Sequence, residues 1–162
     1  MFVRIAWPQL IWSNDMKRHP ALIQLSREHH SALVLAKRAK RMSEGTPDAR
    51  TTFASEVGRI FALDLEPHFQ LEEKLLLPAL MAAGEREAAE QTLAEHTELR
   101  ALVYQPGINH QGTLRRFGDA LAEHVRFEEQ ELFPLAEAVL EAETLDLIRQ
   151  GMDGTTSASS NP

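Results

Sequence analysis

Three short breaks divide this 162-residue chain into long uninterrupted segments, and they constrain the fold more than any other feature. Residues 43–47 (SEGTP) combine a Gly with a Thr-Pro pair, which is typical of one helix ending and another beginning. Gly84 marks a second break, and residues 105–112 (QPGINHQG) mark a third. Between the breaks, no stretch alternates apolar and polar residues for long enough to predict a strand. The sequence therefore predicts an all-helical chain.

Four long helices and a short last one follow from these breaks. Because the connections are short, consecutive helices should lie antiparallel, and four such helices close most simply as a bundle. We therefore predict an all-α, up-down-up-down antiparallel four-helix bundle with a short C-terminal helix. The predicted helices span residues 20–43, 47–83, 85–104, 112–141 and 144–150.

Both ends of the chain are expected to lie outside this bundle, which we assign to residues 16–150. Residues 1–15 are apolar, but a Pro-Gln pair interrupts them and no small-residue cleavage site follows, which argues against a secretory signal and a membrane span. One hypothesis is that the natural start is Met16 and that residues 1–15 are an N-terminal extension. Residues 151–162 are rich in Gly, Ser and Thr, as in a flexible tail.

The composition narrows the partners and the chemistry. With 17 Lys and Arg against 24 Asp and Glu, the net charge of −7 has the wrong sign for neutralising phosphates or anionic lipids. We therefore expect a cytoplasmic monomer or homodimer with no nucleic-acid and no membrane partner. The absence of cysteine excludes disulfides, thiolate nucleophiles and thiolate-bound metals, so any metal must be bound through nitrogen and oxygen.

One histidine on each long helix falls on the apolar face, where it continues a ladder of Leu, Phe, Val and Ala. On the second and fourth helices a glutamate follows four residues later, on the same face. These six residues are His29, His68, Glu72, His96, His124 and Glu128.

The same residues belong to an internal repeat. Residues 68–78 (HFQLEEKLLLP) and 124–134 (HVRFEEQELFP) are identical at five of eleven positions, at an offset of 56. The dipeptide Glu-His recurs at residues 28–29 and 95–96, at an offset of 67. The chain is therefore interpreted as two helical hairpins related by an approximate two-fold axis.

Metal binding gives this arrangement a chemical reason. Two buried carboxylates facing each other would repel unless positive charge lay between them. Two cations about 3.5–4 Å apart suit the pattern, with two terminal imidazoles on each and with Glu72 and Glu128 bridging the pair. Imidazole and carboxylate ligands suit iron, manganese or zinc. For Glu73 and Glu129, about 100° further around their helices, we favour a solvated or outer position.

Two alternatives bear on this interpretation. A single interior histidine is more often a hydrogen-bonded core residue than a ligand, so the alternative hypothesis is a helical interaction module with structural histidines and no metal. His30 adjoins His29 and is a candidate to replace it, although the repeat and the apolar ladder both favour His29. His19 and His110, at a helix entry and in a loop, are predicted to lie on the surface.

At these residues the sequence resembles the hemerythrin-like family of HHE cation-binding domains, across roughly residues 20–140. The resemblance implies a four-helix bundle with a non-haem di-iron centre held by the six residues above. Oxygen-carrying hemerythrins add a second histidine on the third helix, whereas this chain has Arg100 four residues after His96 and Thr92 four residues before it. They also carry an aspartate one residue beyond the position of Glu128. Both differences bring the pattern closer to the four-His, two-Glu centres of the family's iron–sulfur-repair members.

We therefore expect a protein that uses two iron ions, or manganese or zinc in their place, to bind, sense or react with O2, NO or peroxide, or to handle iron. The sequence does not decide whether such a centre is an enzyme, a sensor or a store. The repair members usually carry a cysteine-bearing N-terminal module, which this sequence lacks.

Overall fold

A computed structural model describes residues 18–158, and the side chains of residues 18–153. All regular secondary structure in this part of the chain is helical, which confirms the predicted all-α class. We number five helices: α1 (Pro20–Ser43), α2 (residues 47–82), α3 (Arg86–Tyr104), α4 (residues 111–139) and α5 (Ala142–Ala158). The expectations for residues 1–15 and for the last four residues of the chain lie outside the described residues.

The predicted breaks act as helix boundaries for identifiable reasons. The Thr46 hydroxyl accepts a hydrogen bond of 3.3 Å from the Ala49 amide and caps α2, with Pro47 in the first turn. Gly84 and Gly107 adopt φ values of +96° and +109°, which residues with a Cβ rarely tolerate. These residues end α2 and shape the connection that follows α3.

The last helix is longer than predicted. It extends from Ala142 to Ala158, well beyond the expected end at residue 150 and into the segment expected to be a flexible tail. Leu145, Ile148 and Met152 lie one turn apart and are buried in an apolar cluster, which explains why the helix continues past residue 150. The Gly, Ser and Thr composition of this segment concealed that apolar face.

Helices α2 and α4 each contain wide π turns, and each π turn ends shortly before a proline. The three turns described are Phe61–Leu65, Glu72–Leu76 and Glu128–Leu132. In each, the residue after the turn donates its amide hydrogen to the carbonyl five positions back. A proline has no amide hydrogen and its ring collides with the carbonyl four residues earlier, so a widened turn lets the helix continue. Two of the turns begin at Glu72 and Glu128.

The apolar core consists of two clusters, with a polar layer between them. Along α1, Leu25 belongs to one cluster and Ala32 to the other, and His29 lies between them. Along α4, Leu121 and Leu132 bracket the polar layer in the same way. Within the described part of the chain, no helix is both long enough and apolar enough to cross a membrane.

Helices α1 and α4 approach each other closely at Gly118. A Cβ at this position would lie 2.7 Å from the Ala36 carbonyl oxygen and 2.7 Å from Lys40 Cγ. The pairing of α1 with α4 therefore depends on a residue without a side chain.

We predict that Gly118→Ala destabilises the protein by about 1–3 kcal/mol, because the added methyl group forces the two helices apart. Gly58→Ala is the matched control, since a Cβ at Gly58 meets nothing within 4 Å. There the better helix propensity of alanine should stabilise the fold by up to about 1 kcal/mol. Denaturant unfolding measures the free energy of unfolding of both variants, which should change in opposite directions. A change in the same direction in both variants would contradict the close approach of the helices at Gly118.

Candidate metal centre

The polar layer of the bundle is formed by six buried side chains, one or two from each of the helices α1 to α4. None of them is more than 3% exposed, although all are polar or ionisable. They are the six residues singled out in the sequence: His29, His68, Glu72, His96, His124 and Glu128.

Their nitrogen and oxygen atoms form two groups that could each hold a cation. In the first group, His29 Nε2 lies 3.2 Å from His68 Nε2 and 3.0 Å from Glu128 Oε2. His68 Nε2 lies 3.3 Å from Glu72 Oε1. One atom from each of these four residues lies within 4.8 Å of every other, which is compact enough to surround one ion.

The second group repeats this geometry on the other side of the layer. His96 Nε2 lies 3.3 Å from Glu72 Oε2, and His124 Nε2 lies 3.4 Å from Glu128 Oε1. Glu72 and Glu128 therefore belong to both groups. Each carboxylate turns one oxygen toward the first group and the other oxygen toward the second, as a carboxylate shared by two ions would.

Several of these atoms lack a hydrogen-bond partner. Leaving a buried polar atom unpaired costs about 1–3 kcal/mol, and more for a charged group. Six such atoms in one layer are unusual, and cations in the two groups would give all of them a partner. The unpaired atoms are Oε1 and Oε2 of Glu72, Oε1 and Oε2 of Glu128, and Nε2 of His96 and His124. The residues present therefore fit a metal centre.

The electrostatics of the layer favour positive charge. Burial alone would lower the pKa of His29, but the neighbouring carboxylates of Glu128 and Glu129 outweigh it and raise this pKa to about 9. Burial likewise opposes charge on His68 and Glu72, yet their mutual attraction raises the pKa of His68 well above its usual value and lowers that of Glu72 well below. Without a metal, protonation of His29 or His68 would supply positive charge between the carboxylates, and metal binding must displace such a proton.

A second set of four glutamates holds the other nitrogen of each imidazole. Each Nδ1 lies within hydrogen-bond distance of a carboxylate oxygen on a different helix, which orients the ring and leaves Nε2 directed at the centre. The pairs are His29 with Glu129 at 2.7 Å, His68 with Glu28 at 2.7 Å, His96 with Glu73 at 2.9 Å and His124 with Glu95 at 2.9 Å.

Two of these outer carboxylates are themselves held by arginines. Arg100 donates to Glu73 at 2.7 Å and also bonds Glu66 through two nitrogens. Arg18 donates a hydrogen bond to Glu129. Burial would raise the pKa of Glu129, but the hydrogen bonds from His29 and Arg18 outweigh it and lower this pKa to about 2. Arg100 lies four residues after His96 and supports the centre from outside, because it holds the Glu73 carboxylate that contacts His96.

Sequence reasoning missed part of this outer set. Glu73 and Glu129 were expected to be solvated or outer carboxylates, and they lie in the outer position. The sequence analysis predicts no role for Glu28 and Glu95 beyond their place in the Glu-His repeat. The sequence feature that could have revealed this role is the recurring Glu-His dipeptide, because the glutamate of each dipeptide contacts the histidine of the next helix.

The remaining histidines lie apart from the layer. His30 is exposed on α1, about 100° around the helix from its buried neighbour His29. His110 is exposed, as expected. His19 is half-buried and differs from the expected surface position, because its ring accepts a 3.3 Å hydrogen bond from the Ala21 amide and caps α1.

Comparison with known proteins agrees with this geometry. The family described as the hemerythrin HHE cation-binding domain matches residues 21–136. No curated protein and no solved structure matches the chain. The matched range covers most of the chain and includes all six residues of the buried layer, so this chain belongs to the hemerythrin HHE cation-binding family.

Proposed function

We propose that this protein binds two iron ions in the buried layer of an up-down-up-down antiparallel four-helix bundle. His29 and His68 would be the terminal ligands of one ion, and His96 and His124 those of the other. Glu72 and Glu128 would bridge the two. The observation that carries the proposal is that both carboxylates are fully buried, lack hydrogen-bond partners, and direct one oxygen toward each group of histidines.

The donor set supports iron, with manganese or zinc as the competing metals. Four imidazoles and two carboxylates without sulfur suit all three of these ions. Family membership favours a cation in this position, and the resemblance to di-iron members favours iron. The alternative of an interaction module with structural histidines is less well supported, because it leaves six buried polar atoms without a partner.

We further propose that the centre binds, senses or reacts with a small molecule such as O2, NO or peroxide, or handles iron. When bound, a pair of iron ions supplies open coordination positions and electron transfer to such a ligand. The chain itself fixes the imidazoles through the outer carboxylates. Phe133 stacks on His29 at 5.4 Å and Phe69 stacks on His96 at 3.9 Å between ring centroids, so both rings have an apolar neighbour.

Metal analysis of protein purified without oxygen tests the proposal. We expect about two iron ions per chain, and an optical spectrum that differs between air and nitrogen. His68→Ala should lower the iron content, whereas His110→Ala, in an exposed connection, should leave it unchanged. Less than about one metal ion per chain, or equal content in both variants, would contradict the proposal.

A further inference from the structure

A row of aromatic rings connects the buried layer to the surface of the bundle. Phe69 is stacked on His96, with 3.9 Å between the ring centroids. Phe61 lies edge-on to Phe69 at 5.7 Å, and Tyr104 lies edge-on to Phe61 at 5.5 Å. Aromatic rings at such centroid distances are in direct contact. The row is therefore continuous from an imidazole of the second group to Tyr104.

The inner and outer ends of the row differ in their exposure to solvent. Phe61 is 0% exposed and Phe69 is 1% exposed, whereas Tyr104, at the end of α3, is 58% exposed. Tyr104 is also the only tyrosine of the chain. It follows His96 on the same helix by eight residues, which is a rise of about 12 Å. A phenol in contact with water thus lies a short distance from the layer.

The chemistry of these side chains gives the row a direction. A phenol loses an electron far more easily than the ring of a phenylalanine does, because its oxygen shares the charge and its proton can leave at the same time. Tyr104 is exposed, so it can release that proton to water. The two phenylalanines do not lose an electron themselves, but their packed rings provide a continuous path through which an electron can tunnel from Tyr104 toward His96.

The internal repeat does not duplicate this row. At the offsets of 56 and 67, the residues equivalent to Phe69 and Tyr104 are Val125 and Lys37. Neither a valine nor a lysine has an aromatic ring, so the equivalent positions cannot continue from ring to ring. In the described part of the chain, the row is therefore specific to the second group of histidines.

We propose that Tyr104 donates electrons through Phe61 and Phe69 to the iron centre when hydrogen peroxide oxidises that centre, so that Tyr104 is a site of oxidation on the protein surface. The inference rests on the proposed function, because it requires iron in the layer and peroxide as the small molecule. The exposed phenol carries oxidising equivalents out of the buried layer, where a large reactant could not reach them.

The electrons and protons balance over two chains. One peroxide molecule accepts two electrons and two protons, its O–O bond breaks, and two water molecules form. Tyr104 of the iron-loaded chain gives one electron and its phenolic proton, recovers both from the exposed Tyr104 of a second chain, and then gives them again. Two phenoxyl radicals result, one on each chain, and they combine through a carbon–carbon bond between the rings to form dityrosine. The iron ions begin and end in the ferric state.

Treatment of the ferric, iron-loaded protein with hydrogen peroxide tests the proposal. We expect a covalent dimer on a denaturing gel, in which peptide mapping finds dityrosine between the Tyr104 residues of two chains. Tyr104→Phe should abolish the cross-link, and Phe61→Leu should slow its formation severalfold at unchanged iron content. Phe117→Leu is the matched control, because Phe117 is equivalent to Phe61 in the repeat and equally buried in the same apolar cluster, but lies outside the row. Phe69→Leu is a second row variant in case Phe61→Leu folds poorly.

Moving the tyrosine distinguishes this route from radicals that diffuse through the solution. In the double variant Tyr104→Phe/Leu147→Tyr, the phenol lies on α5 at a position that is 65% exposed, which is similar to the exposure of Tyr104. The cross-link should be lost there, although the phenol still contacts solvent. Equal cross-linking in the double variant or in metal-free protein, or no cross-link in the iron-loaded wild-type protein, would overturn the inference and leave the proposed function intact. A chain that holds no iron would overturn both.

Discussion

Removing the metal from the loaded protein should lower its melting temperature by about 8–16 °C. An ion present at a thousand times its dissociation constant stabilises a fold by about 4 kcal/mol, and each kcal/mol shifts the melting temperature of a chain this size by about 2–4 °C. Without ions, only the imidazoles of the layer can offset the charge of its two buried carboxylates, and nothing in the apolar clusters on either side can pair with them.

Calorimetry with and without a chelator measures this shift, and adding the metal back should restore it. The neighbouring residues His29 and His30 provide matched variants, since the first is buried in the layer and the second is exposed. His30→Ala should retain the full effect of the chelator, and His29→Ala should lose a large part of it. Equal melting temperatures of the wild-type protein with and without chelator would instead favour structural histidines.

The helices and the inner residues of the site were predictable because both depend on local signals. Gly84 ends α2 and Gly107 shapes the connection after α3 through their own backbone angles. The six buried residues share faces with apolar ladders, and helical periodicity alone places such residues inside. His29 could be preferred over His30 for the same reason.

The outer carboxylates were harder to predict from the sequence because they depend on how one helix is placed against another. Glu28 contacts His68 and Glu95 contacts His124, each on a neighbouring helix. Helical periodicity does not determine how two neighbouring helices are rotated or shifted relative to each other. Local sequence patterns thus predict the inner residues of the layer, and the packing of the helices determines which carboxylates support them.

The shared position of Glu72 leads to the second large effect. Because Glu72 belongs to both groups of donor atoms, Glu72→Ala should remove a ligand from each ion at once and lower the metal content from about two per chain toward zero. The substitution also leaves Glu128 as the sole buried carboxylate between four imidazoles, so neither group keeps its balance of charge. Metal content after dialysis against a weak chelator measures the effect.

Glu73→Ala is the matched control, one residue along the same helix. Glu73 holds Nδ1 of His96 at 2.9 Å and lies outside both groups of donor atoms, so its loss should reduce metal affinity by about 10–100-fold without abolishing binding. His29→Ala should affect chiefly the first ion, because His29 belongs to one group only. If Glu72→Ala retained one tightly bound ion per chain, the carboxylate would serve a single metal, and the two groups would be independent sites instead of one bridged centre.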